Sequence, residues 1–315
     1  MKIAFLFPGQ GSQLIGMGKV LYDNFSEAKE VFQRVDSVLG RNLSSIIFSG
    51  SEEELKLTKN AQPAIMTVSI ACFRVLENLS GKSIDGVCNV TAGHSLGEYS
   101  ALCAAEAITL EDTVRLLDVR GSAMQDAADA VSSGMVALVG TSYEIAKEIA
   151  DEASKYGICE VANDNGAGQV ILSGEEKIIN KGLEISKDYT VKRVIKLPVS
   201  GAFHSEIMKP ATLAMKKTVQ DISFSEPKID VFSNFSAEIY HAIKEIPDLL
   251  VKQIEGRVRW REIMEKMTSD YKVKRFVEIG PGKVLGNIAK KMFPESEVFN
   301  LHLPNDIEQY CKLLK

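Results

Sequence analysis

Ser95 stands between two glycines in Gly93-His94-Ser95-Leu96-Gly97, where an apolar run over 87–92 gives way to an alanine-rich stretch over 98–107. A strand, a tight glycine turn and a helix in that order form the G-x-S-x-G elbow that exposes a serine nucleophile. Glycines on both sides permit a strained turn. The hydroxyl would then stand clear at a helix N-terminus whose free N–H groups face developing negative charge. A plain glycine-rich connection is the alternative, and the strand-turn-helix context favours the elbow.

A serine nucleophile needs a base, and the chain has four histidines, His94, His204, His241 and His302. His94 precedes Ser95 on the same turn, so its side chain should point elsewhere. His204 lies in Gly201-Ala202-Phe203-His204-Ser205, after a strand-like run and Pro198, where a loop could hold an imidazole over a sheet edge. His302 follows another apolar run near the C-terminus, the chain order of an α/β-hydrolase histidine. His241 sits in a polar stretch and, like His302, could be structural. Position alone leaves His204 and His302 open as bases. A further loop, Pro8-Gly9-Gln10-Gly11-Ser12-Gln13, has Leu14 where a dinucleotide-binding G-x-G-x-x-G would need its third glycine. It could offer a backbone N–H to an oxyanion or be a turn only, and both readings stand.

The elements that must position these residues follow from length and patterning. A chain of 315 residues suggests two domains or one large domain with an insertion. With 45% hydrophobic and 25% charged residues it reads as a soluble globular protein. The charge-free stretch over 3–18 contains Pro8, Gln10, Gln13 and four glycines, so it makes no membrane span. The apolar run at 3–7 is too short for a secretory signal, which places the chain in the cytoplasm. Five cysteines without a CxxC pair read as free thiols of a reducing compartment, and none clusters with histidine as a metal site would. A net charge of -5 argues against nucleic-acid binding, yet the 257–291 segment carries ten basic and four acidic residues, a local +6.

Apolar runs at 3–7, 87–92 and 275–279, alternating with helical patterns, indicate an α/β protein with a largely parallel sheet. The stretch over 135–197 has another order: strand 135–139, helix 144–156, strands 159–163 and 169–173, helix 175–187 and strand 192–197. That is βαββαβ, the ferredoxin-like order. Ile145, Ile149 and Ala153 give the first of its helices an apolar stripe. The expected plan is a large α/β domain over 1–133 and 199–315, with a ferredoxin-like small domain over 134–198 inserted in it.

The elbow, the Gln10 loop, the His204 loop and Glu278-Ile279-Gly280-Pro281-Gly282 occur together in one chain, beside Asn60-Ala61-Gln62-Pro63-Ala64, Arg120 ahead of Met124-Gln125, and the 163–174 segment. In this ordered set the chain resembles the family of malonyl-CoA:acyl carrier protein transacylases over essentially its whole length. The resemblance implies an α/β-hydrolase-like large domain carrying the ferredoxin-like one. It implies Ser95 as the acylated nucleophile, His204 as its base, the N–H groups of Gln10 and Leu96 as the oxyanion hole, and Arg120 as the holder of the malonyl carboxylate. In the family a main-chain carbonyl orients the histidine. The expected carbonyl here is that of Arg259, an arginine where some members carry glutamine. Phe203 ahead of His204 accompanies, in related domains, malonyl rather than methylmalonyl units.

The implied reaction is ping-pong transfer of malonyl from malonyl-CoA to the phosphopantetheine thiol of acyl carrier protein, supplying fatty acid synthesis without a metal or tightly bound cofactor. An acidic carrier would suit the basic 257–291 segment, whose lysines and arginines could equally be ordinary solvated faces. A monomer is expected, with no nucleic-acid or membrane partner. The competing expectations are a serine esterase or thioesterase working through His302, and a non-catalytic interaction homologue.

Overall fold

In the computed structural model, which describes residues 1–199 and 201–314, nine strands form two sheets. They are β1 (Lys2–Phe7), β2 (Val90–Gly93), β3 (Ser133–Val139), β4 (Cys159–Gly166), β5 (Gln169–Glu175), β6 (Arg193–Lys196), β7 (Asp230–Val231), β8 (Val273–Ile279) and β9 (Glu297–Leu301). The first sheet has the order β7-β2-β1-β8-β9 with every neighbouring pair parallel. Alternation along β1 sends Phe5 and Phe7 to one hydrophobic core and Ala4 and Leu6 to another on the opposite face. Both faces are covered, as a parallel sheet requires. β2 begins later than the apolar run suggested, because Ile84–Val87 forms a single helical turn.

The carboxyl ends of β1, β2 and β8 lead respectively into the Gln10 loop, the Ser95 turn and the Gly280–Gly282 loop. That is the edge where ligands bind in open α/β sheets. Two helices frame it. Thr58–Ser80 contains Pro63, whose missing N–H leaves the Lys59 carbonyl without its helical donor; Arg41 Nη2 donates there instead, at 3.2 Å. Leu110–Ala130 starts on Thr109, whose side chain accepts from the Asp112 N–H, and crosses Thr58–Ser80 at Gly121. A Cβ at Gly121 would stand 2.9 Å from the Thr58 carbonyl oxygen, so only glycine permits this approach, which brings Arg120 alongside Gln62.

The second sheet is antiparallel, in the order β4-β5-β3-β6. Helices Tyr143–Ala153 and Glu176–Ile185 cover one face, where Ile149 and Ala153 of the expected stripe are buried with Val136, Leu138 and Leu172. Met135, Ala137 and Ile171, on the other face, join the core shared with the parallel sheet. β4 is also tied to the C-terminal part of the chain: the Val258 N–H donates to the Ala162 carbonyl at 2.8 Å, and Arg261 Nε meets Asp164 at 2.8 Å.

Candidate active site

The sequence around Ser95 folds as an elbow because nothing larger than glycine fits beside it. A Cβ at Gly93 would lie 1.8 Å from the Gly97 carbonyl oxygen, and one at Gly97 would lie 2.2 Å from that of Phe7. Ser95 itself has φ 53°, in the left-handed region that costs a non-glycine residue strain. Its N–H donates to Asn234 Oδ1 at 2.6 Å, which pins the turn. His204 shares this left-handed conformation, with φ 57°, and its Nε2 lies 2.8 Å from Ser95 Oγ.

The other imidazole nitrogen fixes the tautomer. Nδ1 faces two carbonyl oxygens, that of Gln253 at 2.8 Å and that of Gly256 at 3.0 Å, so it must carry the proton. Nε2 is therefore free to accept the Ser95 hydroxyl proton. Burial, and then the nearby charge of Arg120, push the His204 pKa down to about 3. The imidazole is neutral near pH 7, the form a general base needs.

Arg120 is 1% exposed, and no carboxylate is hydrogen-bonded to it among the described residues. Nη1 donates to Gln62 Oε1 at 2.6 Å; Nη2 donates to Gln253 Oε1 at 2.8 Å and to Ser95 Oγ at 3.0 Å. Its buried Nε has no hydrogen-bond partner. A guanidinium held by neutral amide oxygens, with a donor unused, is suited to an incoming anion. The three residues line a cavity of about 240 Å³ together with Gln10, Gln62, Phe203 and Leu285. The main-chain N–H groups of Gln10 and Leu96 donate to no protein acceptor among the described residues, and Leu96 opens the helix Gly97–Ala104. Gly9 lets the Gln10 loop approach: a Cβ there would lie 2.6 Å from the His94 carbonyl oxygen.

A family model described as the acyl transferase domain matches residues 4–303. The malonyl CoA-acyl carrier protein transacylase of Bacillus subtilis is 42% identical over 315 residues, covering 100% of this chain and 98% of the relative. The chain belongs to this acyltransferase family. Among solved structures, an acyl-carrier-protein-S-malonyltransferase from Bartonella henselae superposes with a TM-score of 0.95 at 44% identity, over 100% of this chain and 99% of that one. A malonyl-transacylase solved in complex with a type II polyketide acyl-carrier protein superposes with a TM-score of 0.94 at 32% identity, over 99% of this chain and 100% of that one.

Within this acyltransferase, the geometry corrects one expected residue. The carbonyl of Arg259 does not face His204; it accepts the Ile263 N–H at 3.1 Å, opening the helix Trp260–Ser269. Gln253 and Gly256 follow the end of the helix Glu245–Lys252, where carbonyls have no intrahelical donor and are free to accept from an imidazole. The carbonyls that face His204 thus come from earlier in the chain than expected. His302 is equally displaced from the chemistry: it lies 3.2 Å from Asp306 and lines a separate pocket with Leu14, Met17 and Pro281. That arrangement does not favour an esterase built on His302. His94 turns away from Ser95, bonding Asn165 at 2.9 Å and packing on Trp260, and His241 lies with Asp270 and Tyr271 in a different pocket.

Gln253, Asn234 and Glu98 were not singled out as site residues by sequence reasoning. Gln253 and Asn234 occur in no motif and are separated from Ser95 by more than a hundred positions, so no local signal marks them. Glu98 was quoted only as part of the elbow motif. Its complete burial was the missing information.

Proposed function

We propose that this chain transfers the malonyl group of malonyl-CoA to the phosphopantetheine thiol of an acyl carrier protein through a malonyl-Ser95 ester. The observation that carries this reading is Arg120, buried beside the Ser95–His204 pair with no carboxylate hydrogen-bonded to its guanidinium among the described residues. A site for a neutral acyl group would have no use for such a residue, since a buried unpaired guanidinium is costly. The names of the relatives agree with it, as does the carrier protein bound to the polyketide malonyl-transacylase.

In the first half-reaction Ser95 Oγ attacks the thioester carbonyl as its proton passes to His204 Nε2. The tetrahedral oxyanion would be met by the N–H groups of Gln10 and Leu96. Its collapse breaks the carbon–sulfur bond, and the departing CoA sulfur takes the proton back from His204. The carrier thiol then repeats these steps in reverse order, losing its proton to His204 as it attacks the ester, and Ser95 regains its hydroxyl. Arg120 holds the free carboxylate throughout. Phe203, 5% exposed in the cavity wall, leaves little room for a branch on the acyl chain.

The architecture we assign is an α/β-hydrolase-like large domain over 1–133 and 199–315, with residues 134–198 as the ferredoxin-like small domain. The βαββαβ order, with β3 between β5 and β6, supports that assignment. We place the chain in the cytoplasm as a monomer; the buried thiols of Cys72, Cys88, Cys103 and Cys159, none of them in a disulfide, agree with a reducing compartment. No described helix is long and apolar enough to cross a membrane.

Intact mass measurement tests the transfer. Mixing with malonyl-CoA should add one malonyl group, mapped to Ser95, and adding phosphopantetheinylated carrier protein should remove it. An adduct that survives Ser95→Ala, or one that carrier protein cannot discharge, would rule the reading out.

A further inference from the structure

Glu98 is completely buried three residues beyond Ser95, and the steps above do not use it. One carboxylate oxygen accepts from the Tyr240 hydroxyl; the other accepts from the Asn234 N–H at 3.0 Å and from Gln253 Nε2 at 2.7 Å. The Gln253 amide has three engagements. Its nitrogen also donates to the Ser95 carbonyl at 2.9 Å, and its oxygen accepts from Arg120 Nη2 at 2.8 Å. Turning the carboxamide over would set its oxygen against two acceptors and its NH2 group against a guanidinium that can only donate. Glu98 and the Ser95 carbonyl therefore lock the amide with its oxygen toward Arg120.

The indirectness has a chemical consequence. A carboxylate bonded straight to Arg120 would fill the fork that a substrate carboxylate needs. Here the negative charge sits one side chain back, and the fork meets only the amide oxygens of Gln62 and Gln253 and the Ser95 hydroxyl. We infer that Glu98 is a positioning residue for acyl-group selection, aiming the Arg120 guanidinium at the donor's carboxylate through the Gln253 carboxamide. The inference rests on the malonyl-transfer reading and adds a residue that never touches substrate.

The test compares kcat/KM for Ser95 acylation by malonyl-CoA and by acetyl-CoA at pH 8, where Glu98, its pKa raised by burial to about 6, is ionised. Glu98→Gln keeps an amide oxygen for Asn234 and Gln253 and offers its NH2 group to Tyr240, so its malonyl-to-acetyl ratio should stay close to wild type. Glu98→Asp, one methylene shorter, cannot serve both donors. Gln253→Met removes the relay but keeps the carbonyl that faces His204. Each should lower the ratio about tenfold, the scale of one lost charge-assisted hydrogen bond, chiefly through KM for malonyl-CoA. In an Arg120→Ala background, neither should lower the ratio further. If Glu98→Asp does not fold, Gln253→Met and its Arg120→Ala double variant carry the test. The inference is overturned if both variants slow the two donors equally, if Glu98→Gln loses selectivity as Glu98→Asp does, or if the effect persists without Arg120. A wild-type protein that takes acetyl as readily as malonyl would instead sink the transfer reading beneath it.

Discussion

Arg120 Nη2 donates to Ser95 Oγ at 3.0 Å, so the cation suited to the acyl carboxylate touches the hydroxyl that would attack the acyl carbonyl. A malonyl unit has its carboxylate one methylene from the carbonyl, and this spacing matches a cation and a nucleophile in direct contact. The same contact puts a positive charge beside His204, which adds to the larger effect of burial in depressing the imidazole pKa. If Arg120 selects the acyl group as proposed, selectivity and base strength are coupled through one side chain.

Replacing Arg120 by alanine should reduce kcat/KM for malonyl-CoA roughly 30-fold or more, the effect of about 2 kcal/mol or above when a buried charge pair loses one partner. Acetyl-CoA has no carboxylate to lose, so its relative rate should rise. Arg120→Lys keeps the charge without the planar fork and should recover only part of the malonyl rate. Steady-state kinetics with both donors decides it: an alanine variant with the wild-type malonyl-to-acetyl ratio would remove Arg120 from selection.

His204→Ala should slow both half-reactions by about 100-fold or more, the loss expected when a general base is removed. Stopped-flow acylation with malonyl-CoA and single-turnover discharge by carrier protein measure the two separately. A variant impaired in only one of them would mean that another group serves the second thiol.

What the sequence made legible here was local. The elbow, the apolar run of β1 and the order of the 135–197 elements each depend on spacing within a few residues, and the structure contains them. The partner of His204 Nδ1 was not legible, because it depends on where the helix Glu245–Lys252 stops and which carbonyls its end leaves free. Arg120 shows the same limit from the other side. Nothing in the local sequence says whether Arg120 faces solvent or the cleft, and the close crossing at Gly121 is what buries it.

The basic 257–291 segment divides in two. Arg257 and Arg259 share Glu262, Arg261 meets Asp164 and Glu265, Lys266 meets Glu238, and Arg275 meets Glu297; of these acids Asp164, Glu238 and Glu297 lie outside the segment and offset half of its local +6. Lys283 and Lys291 have no acidic partner among the described residues; Lys283 precedes and Lys291 lies in the last turn of the helix Val284–Met292, which lends Val284, Leu285 and Ile288 to the cavity wall. Charge reversal at these two lysines should raise KM for an acidic carrier protein and leave KM for malonyl-CoA unchanged, with a difference that shrinks as salt screens it. Equal effects on both substrates would count against this face.

Glu278 anchors the same helix by accepting the N–H groups of Leu285 at 3.2 Å and Gly286 at 2.8 Å, and burial raises its pKa to about 7. A raised folded-state pKa means that the folded protein keeps a proton the unfolded chain releases near the ordinary value of ~4.3. Its contribution to stability is therefore complete below that value and is lost as pH rises toward 7. The Tm difference between wild type and Glu278→Gln should shift against wild type across pH 4.5 to 7 and level off above it. A difference that stays constant over that range would show Glu278 to be ionised in the fold throughout.

The final prediction concerns the base itself. A free imidazole titrates near 6.5, whereas burial and then the Arg120 charge hold His204 at about 3, against the opposing pull of the Gln253 and Gly256 carbonyls. Protonation would block Nε2, so the acid limb of Ser95 reactivity should lie well below pH 5. A neutral probe avoids titrating the substrate: inactivation by a sulfonyl fluoride should proceed at nearly constant rate between pH 8 and pH 5, where a histidine of ordinary pKa would lose more than tenfold. Arg120→Ala removes a positive neighbour and opens the cavity to water, and both changes favour the imidazolium. The acid limb should then move upward, toward 6.5, while Arg120→Lys should leave it nearer its original place. If wild type already loses reactivity between pH 7 and 6, burial does not control His204. If the limb stays fixed in Arg120→Ala, the coupling between acyl selection and base strength does not exist.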